Sequence, residues 1–341
     1  MSKITLEPVP PEEAIAALRA RGAKLSKTFD WRDMWQEAHA TAFTVAKSTG
    51  FDILGDIYQA VDDALVKGTT FDDFKLKLTP ILQKKGWWGQ KLMKDPLSGR
   101  TRKVQLGSVR RLRIIFDTNL RTAYAAGTWA RIQRSKKTRP YLRYVAVMDG
   151  RTRPEHQAWH DTVLPVDHEW WSKHYPPNGW NCRCTVQSLN NRDLKRYDLK
   201  VTEVPPSTKE NPYTNPRNGE VVMVPQGIDP GFVYNPGAAS IDGNAARLFL
   251  EKATPLPPQV TAEVMAESAR VVVPALTRDF ETWVDQVSQS NWKALGDIKP
   301  VGALSKPVID YLALKKATPL SGVITLQDAD LLHMVRDKKR D

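Results

Sequence analysis

The chain has 341 residues, of which 41% are hydrophobic and 26% charged, with 50 Lys+Arg against 38 Asp+Glu and a formal net charge of +12. That length predicts two domains or three, each able to bury its own core. No apolar run approaches the ~18 residues that a membrane span needs, and the acidic, proline-bearing start MSKITLEPVPPEEA lacks the apolar centre of a signal peptide. Two cysteines one residue apart, Cys182 and Cys184, exclude a disulfide framework and point to a reducing compartment or a metal.

In chain order, residues 11–22 read as a short helix stopped by Gly22. Trp31, Trp35, Ala38, Ala42 and Val45 then recur at helical spacing, which predicts an amphipathic helix up to Gly50 with His39 a surface or half-buried residue on it. A further helix is expected from Ile53 to Val66, with Leu54, Ile57, Val61 and Leu65 on one face and Gly68 as its stop. The next follows Thr69-Thr70, carries Phe71, Phe74, Leu78, Ile81 and Leu82, and is expected to bend at Pro80. These segments predict a helical region over residues 1–90. Gly86-Trp87-Trp88-Gly89 ends it and leads into a polar, turn-rich loop, KLMKDPLSGRTRKVQLG; the paired tryptophans read as an anchor of that loop on the bundle, with an aromatic patch for a partner protein as the alternative.

Charge is concentrated in the next region. Between Gln90 and Tyr144 stand fifteen Lys/Arg against two Asp, a local net of +13 that leaves the remainder near neutral. A long helix from about Ser108 to Arg134 carries much of it, with Leu112, Ile115, Phe116, Leu120, Ala123, Tyr124 and Gly127 inward. Arg100, Arg102, Lys103, Arg110, Arg111, Arg113, Arg131, Arg134, Lys136 and Lys137 form an electrostatic footprint for DNA or an acidic protein surface. The same residues also read as a solvated helix face with a basic loop.

The most distinctive stretch runs from Asp149 to Leu189. It holds four of the six histidines, both cysteines and four of the eleven tryptophans. An apolar strand leads to the Asp149-Gly150 turn, and Pro154 opens a short helix on which His156 and His160 are expected to share a face. YPPNGWN is a stiff loop that delivers Cys182-Arg183-Cys184, and at strand spacing the two thiols point to one side and Arg183 to the other. Cys182 and Cys184 with His156 and either His160 or His174 make a donor set suited to a structural zinc. A metal-free hydrogen-bonded knot and a catalytic metal are the alternatives. Asp149, Arg151 and Thr152 read as turn and ion-pair residues, with Arg183 pairing to Asp149 or Asp161.

D-x-R-T-x-P-x-H at Asp149–His156 followed by P-P-N-G-x-x-C-R-C at Pro176–Cys184 resembles the signature of the phage Mu F-like family of head morphogenesis (minor head) proteins. Also similar to that family are GWWG, NLRTAYAAG at Asn119–Gly127 and GIDPGFVYNPG at Gly227–Gly237, so the resemblance covers roughly residues 30–240. It implies a minor capsid protein of the virion, inside the capsid and in the host cytoplasm during assembly. Its implied partners are the portal protein, the major capsid protein and packaged double-stranded DNA, with no membrane and no enzymatic activity in this core. Some relatives carry cysteines where this chain has Arg153 and His156, which supports a metal by analogy.

After Leu189 the texture changes. Seven prolines between residues 201 and 240 predict an extended Pro/Gly-rich arm over 201–243, able to lie along a neighbouring subunit. Helical periodicity returns at Asn244–Lys252 and Val260–Gln289, and the tail predicts helix, turn, a strand at Val323–Leu326 and a closing helix with His333, Arg336 and Lys338. Region 244–341 resembles the opening half of small nuclease-like accessory domains of this phage family, which implies a remnant or docking module. The fold expected is α+β: a helical bundle (1–90), a small mixed α/β core with a His/Cys-rich loop region (91–200), the arm, and a small helical C-terminal region. An enzyme reading, a metal-dependent nuclease or hydrolase using His156 and His160 with Glu155 or Asp161 as base, is the rival. A generic DNA-binding module is the third reading. The absence of G-x-x-x-x-G-K-[ST] excludes a packaging motor.

Overall fold

The structure, a computed structural model, describes residues 10–22, 24–48, 50–206, 209–240, 253–287 and 298–337. The chain divides into two compact units, Met1–Ser240 and Ile241–Asp341. The expected helix at Asn244–Lys252 lies outside the described residues.

In the first unit, helices α1 (Glu12–Gly22), α3 (Phe51–Lys67), α4 (Phe71–Lys84) and the long α5 (Val109–Ser135) surround one apolar core. Their limits follow local chemistry. Gly68 closes α3 in the left-handed region (φ 63°) and returns its N–H to the Ala64 carbonyl. Thr70 and Asp73 make a reciprocal capping box at the start of α4, and Ser108 caps α5. Leu54, Ile57, Val61 and Leu65 are buried as their spacing predicts, whereas Ile81 and Tyr124 face outward. The helix α4 continues through Pro80. Trp87 is buried and donates from Nε1 to the Lys47 carbonyl at 2.7 Å, so the Gly-Trp-Trp-Gly segment is an anchor.

The expected helix from Trp31 to Gly50 does not form. In its place stand a 3₁₀ turn at Trp31–Asp33, a single helical turn α2 (Ala38–Thr41) and parallel bridges Leu25↔Phe43 and Thr28↔Ala46. Gln36 and Lys47 take positive φ, and tertiary partners displace the helical ladder: Trp35 Nε1 donates to Glu220 at 3.0 Å and Gln36 Nε2 to the Pro230 carbonyl at 2.9 Å.

The loop expected after Gly89 is an antiparallel hairpin, β1 (Gln90–Lys94) with β2 (Thr101–Gln105). Farther along, β3 (Tyr141–Val145) is the centre of a three-stranded antiparallel sheet, flanked by β4 (Val163–Pro165) and β5 (Thr185–Leu189). Short helices α6 (Pro154–Ala158), α7 (Trp170–His174) and α8 (Asn191–Arg196) complete this layer. A second core, rich in tryptophan, joins the sheet to the C-terminal turns of α5 through Trp129 and Ile132.

The Pro-rich stretch folds back instead of extending. Glu210–Thr214 (β6) and Val221–Pro225 (β7) pair as a hairpin, and Val224, Ile228, Phe232 and Val233 enter the tryptophan-rich core. The turns of the two hairpins are built alike. Asp95 and Asn215 each accept from the backbone N–H two residues on, at 3.0 Å, and Gly99 and Gly219 each take positive φ. Arg217 from the second turn reaches Asp95 of the first at 2.6 Å and also pairs with Asp33, so one guanidinium ties both hairpins to the Trp31–Asp33 turn. Burial opposes ionisation of Asp95, but Arg217 and the Leu97 N–H hold its carboxyl below the usual range.

In the second unit, α9 (Pro258–Val287) lies with the antiparallel pair β8 (Ile298–Ala303) and β9 (Val323–Gln327), with α10 (Lys306–Leu314) between the strands in sequence and α11 (Asp328–Asp337) after them. Trp283, Val287 and Leu331 form one small core, Val272 and Leu276 another. The strand at Val323–Leu326 and the closing helix were expected; β8 was not.

The closeness of α1 to α5 can be tested at a glycine. A Cβ on Gly127 would lie 2.6 Å from the Ala14 backbone N, whereas one on Gly55, inside α3, meets nothing within 4 Å. Gly127→Ala is therefore expected to destabilise by about 1–3 kcal/mol through overpacking, and Gly55→Ala to stabilise by about 0.5–1 kcal/mol. Urea unfolding of both variants checks the pair.

Candidate metal centre

The strand, turn and short helix read from Asp149–His156 are present, and they meet the cysteine loop. Pro154 sits in the first turn of α6, which ends at Ala158. His156 is buried, and its Nδ1 lies 3.8 Å from Cys182 Sγ and 3.5 Å from Cys184 Sγ. These are the donor atoms that come together, all within 4.8 Å of one another. The other ring nitrogen, Nε2, is 2.9 Å from the Gly227 carbonyl, to which it donates. That bond puts the ring proton on Nε2 and leaves the Nδ1 lone pair facing the two sulfurs.

The remaining histidines of the expected set are elsewhere. Because α6 stops at Ala158, His160 does not share a helix face with His156. Its Nδ1 accepts from the Ala146 N–H at 3.1 Å and its Nε2 is 3.4 Å from Asp161. His174 is stacked on Trp170, with ring centroids 4.3 Å apart, and its Nδ1 bonds the Trp170 carbonyl at 3.1 Å. His168 Nδ1 accepts from the Trp170 N–H at 3.1 Å. Each of these rings is held by its own local hydrogen bond, which spacing along the sequence does not reveal.

The cysteine loop is fixed from both sides. Arg183 projects away from the thiols and makes a forked pair with Asp149 at 2.5 and 2.8 Å, while Thr152 Oγ1 bonds Asp149 at 3.3 Å. Arg183 holds the Asp149 carboxyl far below the usual carboxylate range. Arg151 is largely exposed and 3.6 Å from Asp149. From the opposite side Arg121 of α5 donates to the Cys182 carbonyl, and Tyr175 Oη donates to the Ala125 carbonyl at 3.0 Å. A cavity of about 190 Å³ lies between α5 and the loop, bounded by Arg121, Tyr124, Tyr175 and both cysteines.

Sequence reading missed a clamp over His156. Arg153 pairs with Asp229 at 2.9 Å and donates to the Gly227 carbonyl at 3.0 Å, and Asp229 also accepts from the Trp180 N–H at 2.8 Å. Gly227 has φ +94°, and a Cβ there would come within 2.7 Å of Glu155. The Gly-Ile-Asp-Pro-Gly motif carried this information, but its partner lies over seventy residues away. Tyr144, fully buried, donates to Asn178 at 2.9 Å beneath the thiols. The two thiols act as one unit. The Cys184 S–H bond to Cys182, together with His156, draws Cys182 down, and the same bond with burial pushes Cys184 up.

The basic residues divide. Arg111 is structural: it donates to the carbonyls of Gln105, Leu106 and Ala46 and lies over the Trp87 ring, and burial pushes its pKa down to about 10. Arg131 and Arg134 pair with Glu13, Lys136 with Asp167, and Arg102 lies near Asp30 and Asp95. Arg100, Lys103, Arg110, Arg113 and Lys137 are exposed and have no ion pair among the described residues.

A pH dependence follows from His174, which is 5% exposed and whose pKa burial pushes down to about 4. The Trp170 carbonyl and Glu210 oppose that shift, and Lys173 and His156 reinforce it. The unfolded chain therefore takes up this proton first: the contribution is complete above about pH 6.5 and is lost as pH falls toward 4. His39, whose pKa burial and Arg21 also push down to about 4, acts over the same interval, so the His174 share is read by difference: the loss of stability between pH 7 and pH 4.5 in urea unfolding is expected to shrink by on the order of 2 kcal/mol in His174→Phe and not to vanish.

Residues 55–187 match the family model described as Phage Mu protein F like protein. The chain is 42% identical over 254 residues to the putative capsid assembly protein F of Escherichia phage Mu, covering 70% of this chain and 56% of that protein. It is 42% identical over 175 residues to the Mu-like prophage FluMu F protein of Haemophilus influenzae, covering 51% of this chain and 41% of that one. The chain thus spans about half the length of the curated relatives it matches. No solved structure matches it. The matched segment contains α5, most of the sheet and the His156–Cys182–Cys184 junction, and it is this part of the chain that is Phage Mu protein F like.

Proposed function

We propose that this chain is a minor head protein that acts in phage head assembly, bound to the portal or the inner capsid surface and touching packaged DNA. The observation that carries the reading is its 42% identity to a protein named putative capsid assembly protein F, over a segment that includes the structured core. What the molecule offers to a partner supports it. The outer face of the β1–β2 hairpin carries Leu92, Lys94 and Lys103 side by side, with Arg100 at its turn, while Val104 and Met93 face the core. A two-stranded ribbon with cations on its outer face suits a phosphate backbone, since each Lys or Arg that meets a phosphate releases condensed counterions. No helix among the described residues is long and apolar enough to cross a membrane.

Within this reading the His156–Cys182–Cys184 junction braces the fold, and zinc is the ion its donors suit. Two thiolates would neutralise the divalent charge inside a buried site, and the ring orientation is already set by the Gly227 carbonyl. The rival nuclease reading loses its helical histidine pair, because His160 and His156 do not converge.

Charge reversal of Arg100, Lys103 and Arg110 together is expected to weaken binding to a DNA duplex and to lower the slope of log affinity against log salt by about 1 for each phosphate the variant no longer neutralises. Reversal at Arg111 is expected to lower stability instead, because its guanidinium is bonded to buried carbonyls. Fluorescence anisotropy across a salt series, with thermal unfolding alongside, distinguishes the two. Co-purification with portal protein at low and moderate salt tests the assembly half, and failure at both contradicts it. Chelator-sensitive cleavage of DNA that disappears in His156→Ala would favour the nuclease.

A further inference from the structure

We propose that His156 Nδ1, Cys182 Sγ and Cys184 Sγ bind one zinc ion as a three-donor site whose fourth ligand is a water molecule supplied from the adjoining cavity. This deepens, and rests on, the reading of the junction as a zinc site.

The spacing of the donors carries the argument. A zinc ion about 2.0 Å from nitrogen and about 2.3 Å from sulfur in a tetrahedral site holds those atoms about 3.5 Å apart, and the observed separations of His156 Nδ1 from the sulfurs are 3.5 and 3.8 Å. The histidine needs no change of tautomer, because its Nε2 proton is committed to Gly227. Loading balances by releasing the thiol protons as the two Zn–S bonds form, which leaves a neutral Zn(Cys)₂ unit with a neutral imidazole.

The fourth donor is a different matter. Among the described residues, no further His, Cys, Asp or Glu donor joins the group. The ring nitrogens of His160 and His174 lie outside that group, His160 Nδ1 on the Ala146 N–H and His174 Nδ1 on the Trp170 carbonyl, so neither candidate completes the sphere in this arrangement. Both cysteines line the cavity of about 190 Å³, which has room for several waters at about 30 Å³ each. The Arg121 guanidinium lies on the same wall and favours a small anion in place of water.

The experiment uses the full chain, stripped with chelator and reloaded with cobalt(II), followed by absorption spectroscopy and then by titration with azide. We expect one cobalt per chain, a thiolate-to-cobalt charge-transfer band, tetrahedral d–d bands, and a shift of those bands as azide replaces water. Cobalt uptake with d–d bands that ignore azide would overturn the water-bearing fourth position while leaving a four-donor zinc site standing. No uptake of zinc or cobalt would sink the zinc reading itself. Cys184→Ser and His156→Ala are expected to weaken metal binding by more than about tenfold. His160→Ala and His174→Phe are expected to leave it within about twofold, and a tenfold loss from either would show that histidine to be the missing donor. Circular dichroism of each variant separates lost ligation from lost fold.

Discussion

The donation of His156 Nε2–H to the Gly227 carbonyl is the interaction on which the central architecture depends. It joins the turn after β3 to a segment seventy-one residues later, and the other ring nitrogen then faces the cysteines. Three stretches that are remote in sequence are thereby made to converge: the turn and short helix α6, the loop before β5, and the Gly227–Phe232 segment. Around that bond the polar groups are arranged so that little is left unpaired. Arg153 with Asp229 closes one side, Arg183 with Asp149 the other, and Arg121 fixes the loop carbonyl from α5. Short elements of five residues or fewer cannot hold a shape by their own ladders. The tryptophan-rich core and these ion pairs hold them instead.

Such a junction is well suited to an assembly part. Trp159 stacks on His156 and stands edge-on to Tyr144 and Trp170, which makes the interior under the loops stiff and closely packed. The hairpins lie at the surface, the first seated on the helical core through Val104 and Met93 and the second on the tryptophan-rich core through Val224, with Arg217 joining Asp33 and Asp95 and Trp35 bonding Glu220. A closely packed centre beside the β1–β2 hairpin, whose outer face carries Lys94 and Lys103, places that charge at a fixed position on the fold. The positive block of the sequence is therefore of two kinds, with Arg111 and Arg121 bonded to backbone carbonyls of the fold and Arg100, Lys103 and Arg110 facing solvent.

Much of this was legible where the signal is local. The helices α3, α4 and α5 followed from apolar spacing and caps, because periodicity and Thr70, Ser108 and Gly68 act within a few residues. Cys182 and Cys184 do gather at His156 and Arg183 does find Asp149, although the three residues precede β5 and are not part of the strand from which that sidedness was expected. Failures came where distant partners decide. Residues 31–50 have a helical pattern, yet Trp35 and Gln36 are claimed by Glu220 and Pro230. The two hairpins were hidden by charge and proline, although the shared spacing of Asp95-Pro96 to Gly99 and Asn215-Pro216 to Gly219 was there to be read. His156 was expected beside the thiols and is found there, whereas the choice of His160 or His174 as a further donor could not be decided from spacing, since it depends on where α6 stops.

The central claim is that the histidine and the cysteine loop form one cooperative brace. Amide hydrogen exchange of the wild-type chain and His156→Ala tests it most directly, read separately over Cys182–Leu189, Gly227–Phe232 and the helices α3 and α4. The account predicts that the first two segments lose protection together while the helices keep theirs. Unchanged protection in both segments, or loss in one without the other, would contradict it.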